Sequence, residues 1–422
     1  MAFSFNKYFI KTAVFVLSLL SSSGGFSATE DGQALKNPTS QIRYKCNLRR
    51  DGVPPQVLEK LLQHPAAKRG KATAEALKRT SAPLPPSYDM RTAIGGVDKA
   101  AEIFPVYDQA GLGSCTANAS AGALQYLSIL QGVRPNAPSR LFIYYNERAR
   151  ILGWDPTQDT GAFVSTSVLA IAEYGACYET SWPYSDVSYG PSPLFFSQQP
   201  NDPCYSAGLS NVALAYGPVP QDLDTIKQYL SRNVPVLIGL LVYNSFWSSL
   251  WNGGVVPIPD PANESLNGGH ELMLVGYDDV SRRFTARNSW GTWNGNKGYY
   301  SMPYDYVASP YLCFDFWFIS SSGANINVNF SVTANTVWGQ NIYLVGDIPE
   351  LGNWDINQAL RLTCPNYPNW TGSRTIAASK PIINYKYIKK DAKGKVIWMS
   401  GDNLSFSPTT SPQNLTPDEW KN

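Results

Sequence analysis

The chain has 422 residues, with 34 lysines and arginines against 32 aspartates and glutamates, a formal net charge of +2. This balance argues against a globally polybasic or polyacidic surface, and the length suggests two or three domains. Lys7 and Lys11 precede the apolar run Thr12–Leu20, and small residues follow through Ala28. That order is a secretory signal over residues 1–28, too short for a transmembrane helix, cut after Ser27 or Ala28. No later run is long and apolar enough to span a bilayer. The expected product is therefore secreted, extracellular or periplasmic, with no membrane association once the signal is cleaved.

From Thr29 to about Ala82 the chain is basic and poor in aromatics. Without aromatic interleaving such a run does not indicate nucleic-acid binding. It reads as a propeptide or N-terminal extension over residues 29–83, whose stretches Val57–Leu62 and Ala72–Leu77 would form short amphipathic helices covering a cleft. Ala82-Pro-Leu-Pro-Pro-Ser87 is a stiff boundary, and Lys78-Arg79 just before it is a candidate processing site.

The stretch Phe104–Leu124 brings a Gly-punctuated loop to Cys115 and then a run of small residues. A helix N-terminus favours thiolate, so Cys115 is a candidate nucleophile. Gln109, six residues earlier, would share an oxyanion hole with the Cys115 N–H. A lone cysteine in an apolar segment is ordinarily a buried structural residue. Two later segments change that reading. His270 follows a Gly-Gly turn and leads into an apolar strand, and Asn288 precedes Ser-Trp-Gly, which supplies a base and a group to orient it.

Taken together, these segments resemble the papain family of cysteine peptidases, bacterial-type branch. The resemblance implies catalytic roles for Gln109, Cys115, His270 and Asn288, with Trp290 over the His–Asn contact. It places the start of the enzyme near Leu84, in a Leu-Pro-x-x-x-Asp-x-Arg run. It also implies that Gly161 and Ala162 line the substrate cleft with their backbones and that Phe163 and Val164 help form an apolar second specificity pocket. Gly269, before the histidine, is uncharged; Glu271, after it, has no assigned role. Helical segments come first (Cys115 onward, Pro138–Asn146, Asp159–Gly175) and strands later (Val234–Val242, His270–Asp279, Gly298–Met302). The order is that of an α+β enzyme over residues 84–322, implied by the resemblance to be a two-lobed papain-like fold, helical lobe plus β lobe.

Past Ser320 the pattern changes to alternation: Ile326, Val328, Phe330 and Val332 alternate with Asn and Ser, and further short strands follow at similar intervals. Residues 323–422 form an all-β domain. Its phrases Val345–Asp355, Tyr385–Lys389 and Ile397–Asn403 resemble the starch-binding domain, the family-20 carbohydrate-binding module, an immunoglobulin-like sandwich. The resemblance implies that Trp354 and Trp398 stack on α-glucan while Lys386 and Asn403 bond its hydroxyls, with a second site at Trp338, Tyr367 and Trp370.

In an exported chain, six cysteines suggest disulfides beside one free catalytic thiol, with Cys177–Cys204 the expected pair and Cys313 and Cys364 unassigned. Leu112 stands where papain has a disulfide cysteine, and Thr116 replaces the usual Trp after the nucleophile. The expected activity is peptide hydrolysis by a monomer through a Cys115 acyl-enzyme, with no metal or organic cofactor. Its partners are polypeptide substrates and starch or glycogen. Two alternatives stand beside it: a catalytically silent glucan-binding protein on a peptidase scaffold, and a Cys–His acyltransferase.

Overall fold

The structure is a computed structural model that describes residues 44–79, 83–131, 136–185, 195–323, 325–377, 382–408 and 413–422. The expected signal peptide and the first part of the expected propeptide lie outside them. Helix α1 (Pro55–Gln63) and helix α2 (Pro65–Arg79) follow an extended stretch, each opening on a proline, which suits the first helical turn. Helix α3 (Val97–Ile103) precedes the buried helix α4 (Cys115–Leu130), whose first thirteen residues are all buried. Its Ala, Ser and Gly side chains let neighbouring elements approach closely; a Cβ at Gly122 would lie 2.7 Å from the Arg287 guanidinium. Helices α5 (Arg140–Tyr145), α6 (Val164–Glu173) and α7 (Asp202–Gly208) complete the helical half.

The strand half is one antiparallel sheet. In chain order its strands are β1 (Ser87–Asp89), β2 (Val212–Pro218), β3 (Val236–Tyr243), β4 (Leu266–Asp278), β5 (Arg283–Arg287), β6 (Tyr299–Pro303) and β7 (Cys313–Gly323). They are arranged β2-β7-β3-β4-β5-β6, with β1 added on β4. Short helices α8 (Leu223–Leu230) and α9 (Tyr304–Ala308) flank it. Central β4 is buried from Gly269 to Tyr277, and α4 packs against it. The long buried run in β4 is what a strand covered on both faces requires.

The C-terminal domain begins one residue beyond β7, at β8 (Asn325–Thr333). The remaining strands are β9 (Asn341–Gly346), β10 (Leu360–Arg361), β11 (Thr363–Asn366), β12 (Asn369–Ala377), β13 (Ile383–Lys390), β14 (Val396–Trp398), β15 (Leu404–Phe406), β16 (Gln413–Asn414) and β17 (Asp418–Glu419). Two five-stranded sheets result: β10-β9-β13-β14 with β15, and β11-β12-β8-β16 with β17. Ile326, Val328, Phe330 and Val332 point into one core with Leu344, Tyr385 and Tyr387, so the period-two reading of β8 holds.

The N-terminal segment departs from expectation. Helices α1 and α2 do form, but they lie against α6 and β2 rather than over the cleft. A Cβ at Gly70 of α2 would sit 1.7 Å from the Tyr216 carbonyl oxygen of β2, an approach only glycine allows. Tyr216 in turn donates its hydroxyl to the Leu61 carbonyl at 2.7 Å. Beyond this contact, Arg69 of α2 forms a nearly buried ion pair with Glu350 of the C-terminal domain. The cleft itself is covered by the extended residues that precede α1.

Candidate active site

Cys115 is the first residue of α4 and fully buried. His270 comes from β4 and Asn288 from the loop after β5, so the sheet brings to the helix two groups distant in sequence. The contact between His270 Nε2 and Asn288 Oδ1 is 2.7 Å, and the Ser289 N–H also donates to that oxygen at 2.8 Å. Oδ1 only accepts, so Nε2 carries the imidazole proton. Nδ1, without a hydrogen-bond partner, keeps its lone pair. Trp290 is fully buried and stacks on His270 with ring centroids 4.6 Å apart. Gln109 is held at its amide oxygen by the Ser289 hydroxyl at 2.7 Å, while its Nε2 faces the Leu112 carbonyl at 3.0 Å and the Lys45 carbonyl at 3.3 Å.

Residues 44–49 run across this site. Tyr44 stacks on Trp290 at 5.0 Å, and its hydroxyl donates to the Trp290 carbonyl at 2.8 Å. Asn47 pairs in parallel with Gly269, the Leu48 N–H donates to the Gly269 carbonyl at 2.9 Å, and the Arg49 N–H to the Ala162 carbonyl at 2.9 Å. Gly161 adopts φ +68°, and a Cβ there would meet the Asn47 carbonyl oxygen at 1.9 Å. Gly161, Ala162 and Gly269 thus each meet residues 47–49 with their backbones. Phe163 lies against Trp154 at 6.0 Å, over which Arg49 is placed, whereas Val164 belongs to the main core. Leu48 lies against Gly239, the residue paired across the sheet with buried Glu271, so the face it covers is not wholly apolar.

With the cleft covered, the pair is not an ion pair. Burial pushes the Cys115 thiol well up, and the neighbouring Glu271 and Cys46 add to the shift, although the Glu271 N–H bonds the sulfur. Burial also lowers His270 to about 4 against the opposing Asn288 hydrogen bond. Both groups are neutral near pH 7, because the loss of water outweighs the pairing that was expected to create thiolate. Around them sit Glu147, raised by burial to about 8, and Asp315, also raised by burial. The sequence reading assigned no part to Tyr44, Leu48, Glu147 or Asp315. Nothing in their local spacing joins them to the site, and only the folded chain does.

Cys177 and Cys204 form the expected disulfide, and Cys46, Cys115, Cys313 and Cys364 are free thiols. In the C-terminal domain Trp398 is 43 % exposed at the end of β14. Lys386 donates to the Gly401 carbonyl, which holds it beside the turn that carries exposed Asn403. Trp354 is half-buried and has φ +65°. Trp338 is fully exposed and Tyr367 60 % exposed on a groove of about 510 Å³. Trp370 lines the same groove but is mostly buried in the sandwich core, where its indole N–H donates to the Ala334 carbonyl at 3.0 Å.

Comparison with known proteins gives two family matches: "Papain family cysteine protease" over residues 84–309 and "Starch binding domain" over residues 325–417. An uncharacterized peptidase C1-like protein of Acanthamoeba polyphaga mimivirus is 35% identical over 253 residues, 58% of this chain and 77% of that protein. The crystal structure of xylellain, a cysteine protease from Xylella fastidiosa, is 32% identical with a TM-score of 0.55, covering 68% of this chain and 99% of that one. The C-terminal part is 43% identical over 100 residues to a cyclomaltodextrin glucanotransferase of Bacillus sp. (strain 1-1), matching 22% of this chain and 14% of that protein.

Proposed function

The chain belongs to the papain family of cysteine proteases and carries a starch binding domain, and from that premise we propose a secreted endopeptidase, made as a zymogen and directed to α-glucan. The observation that carries the reading is the His270–Asn288 pair at 2.7 Å, with Cys115 bonded by the N–H of Glu271, the residue after that histidine, and Gln109 bonded by Ser289, the residue after that asparagine. Once the cleft opens, water returns to the pair and the thiolate–imidazolium state is no longer opposed by burial. Cys115 then attacks the scissile carbonyl, with Gln109 Nε2 and the Cys115 N–H donating to the oxyanion. His270 protonates the leaving amine, Asn288 holds the ring, and water releases the acyl group.

The segment over the cleft fits an inhibitor better than a substrate. His270 and the overlying Trp290 mark the leaving-amine side, and Tyr44, the N-terminal end of the covering stretch, lies there. A productive chain places its C-terminal half on that side. The stretch therefore runs in reverse, which protects its own peptide bonds. Trp354, Trp398, Lys386 and Asn403 form the proposed main glucan site, and Trp338 with Tyr367 a second. Binding there would concentrate the peptidase on proteins embedded in starch or glycogen.

The test is reaction of the protein, after release of its N-terminal segment, with an epoxide-type cysteine-peptidase inactivator, followed by mass spectrometry of the modified peptide. Modification at Cys115 that is lost in His270→Ala is expected. A folded, starch-binding sample that does not react would overturn the peptidase reading in favour of a glucan-binding scaffold. New peptide amino termini on protein substrates, rather than crosslinked product, would separate hydrolysis from acyl transfer.

A further inference from the structure

Glu271 follows the histidine on β4, is fully buried, and has neither carboxylate oxygen within reach of a hydrogen-bond donor. The charges that bear on it are those of Glu147 and Asp315, both repulsive. Those two acids are better provided for. Glu147 accepts from the Thr116 hydroxyl at 2.6 Å, and Asp315 accepts from the Trp317 indole at 2.6 Å and the Ser165 N–H at 3.4 Å. Glu271 is thus an acceptor without a donor, which is costly to keep charged and rare in native interiors.

Its surroundings form a pit. Across the sheet Glu271 pairs with Gly239 of β3, and two residues back on the same face of β4 stands Gly269. Leu48 fills the space that these glycines leave. A Cβ at Gly239 would come within 2.8 Å of Leu48 Cδ2 and 3.0 Å of the Phe314 ring, and one at Gly269 within 3.1 Å of Leu48 Cβ. Leu48 comes four residues after Tyr44, which stacks on Trp290, so the pit belongs to the side opposite the leaving amine, that of the acyl half of a substrate.

We propose that Glu271 is the specificity-determining group of this acyl-side subsite, taking a lysine or arginine side chain of the substrate where Leu48 now sits. This rests on the peptidase reading above. A basic side chain is longer than leucine, so its head reaches past the Leu48 position toward the carboxyl and supplies the missing donors. Leucine covers Glu271 with hydrocarbon and leaves it protonated, which suits a segment that holds the cleft shut until it is removed.

The full chain provides the test, with the rate of Cys115 alkylation by iodoacetamide reporting how firmly the segment is seated. Leu48→Ala is expected to expose Cys115 equally in the native and Glu271→Gln backgrounds. Leu48→Lys is expected to keep Cys115 protected in the native background and to expose it about tenfold faster with Glu271→Gln. Equal exposure in both backgrounds would overturn the proposal. Should Glu271→Gln fail to fold, Leu48→Lys against the uncharged Leu48→Gln decides on the native carboxyl alone: about tenfold better protection by lysine supports it, and equal rates refute it. Alkylation of Leu48→Ala that is unchanged by His270→Ala would sink the peptidase reading instead, whichever way the lysine comparison falls.

Discussion

Gln109 has both ends of its amide committed, the oxygen to Ser289 and the nitrogen toward the carbonyl of Lys45. A donor fixed in this way needs no reorganisation when an oxyanion forms, and it acts where water is excluded. Gln109→Ala is therefore expected to lower kcat by about 10²–10³ with KM little changed, measured on a soluble peptide with the opened enzyme. At this scale the sequence was most legible. Cys115, His270, Asn288 and Gln109 each sit in a short segment whose neighbours suggest the role proposed for it. Thr116 shows the limit, for its departure from the usual tryptophan is visible in the sequence, but its partner Glu147 lies 31 residues away and its hydroxyl bond is a product of folding. Trp370 shows another limit, since a buried indole and a stacking platform share one residue type, and only the Ala334 contact separates them.

Helices α1 and α2 were foreseen from their amphipathic patterns, yet their placement was not, because a pattern specifies that a face is buried and not against what. They anchor the covering stretch to β2, with His64 at their junction lying 5.9 Å from the Tyr216 ring. Burial lowers His64 to about 4, with Glu173 opposing and Arg69 and Lys60 adding to the fall. Seated, His64 binds protons more weakly than the ordinary value of 6.5. Its contribution to seating is thus complete above pH 6.5 and declines as pH falls toward 4, by about 1.4 kcal/mol per pH unit. Faster alkylation of Cys115 in the full chain is the expected result across that window, with a shallower dependence in His64→Gln. Gly70→Ala tests the same anchor sterically. Its new methyl meets the Tyr216 carbonyl, and a loss of about 1–3 kcal/mol, read by denaturant unfolding, should accompany an exposed Cys115.

Among the described residues of the whole molecule, the two family-sized domains are joined by the chain itself and by the N-terminal segment. Arg69 bonds the Leu214 carbonyl of the enzyme half and pairs with Glu350 of the sandwich. An ion pair buried to this degree is damaging to break one-sidedly, so Arg69→Ala is expected to cost about 3 kcal/mol and to broaden the distribution of domain orientations seen by small-angle scattering. Trp398→Ala should weaken starch binding about tenfold or more while leaving hydrolysis of a soluble peptide unchanged. Domain order and the sandwich were legible from alternation and phrases such as Val345–Asp355. The second tie was not, since it joins residues 281 positions apart. The covalent tie has its own outcome. Only one residue separates β7 from β8, a reach of about 3.5 Å, so the catalytic half has no leash on which to range from its anchorage. Under the proposed targeting to a glucan granule, such an enzyme would be a surface grazer: it would meet the proteins that lie at the spot where its sandwich lands, and its progress across the granule would be set by how often the sandwich lets go.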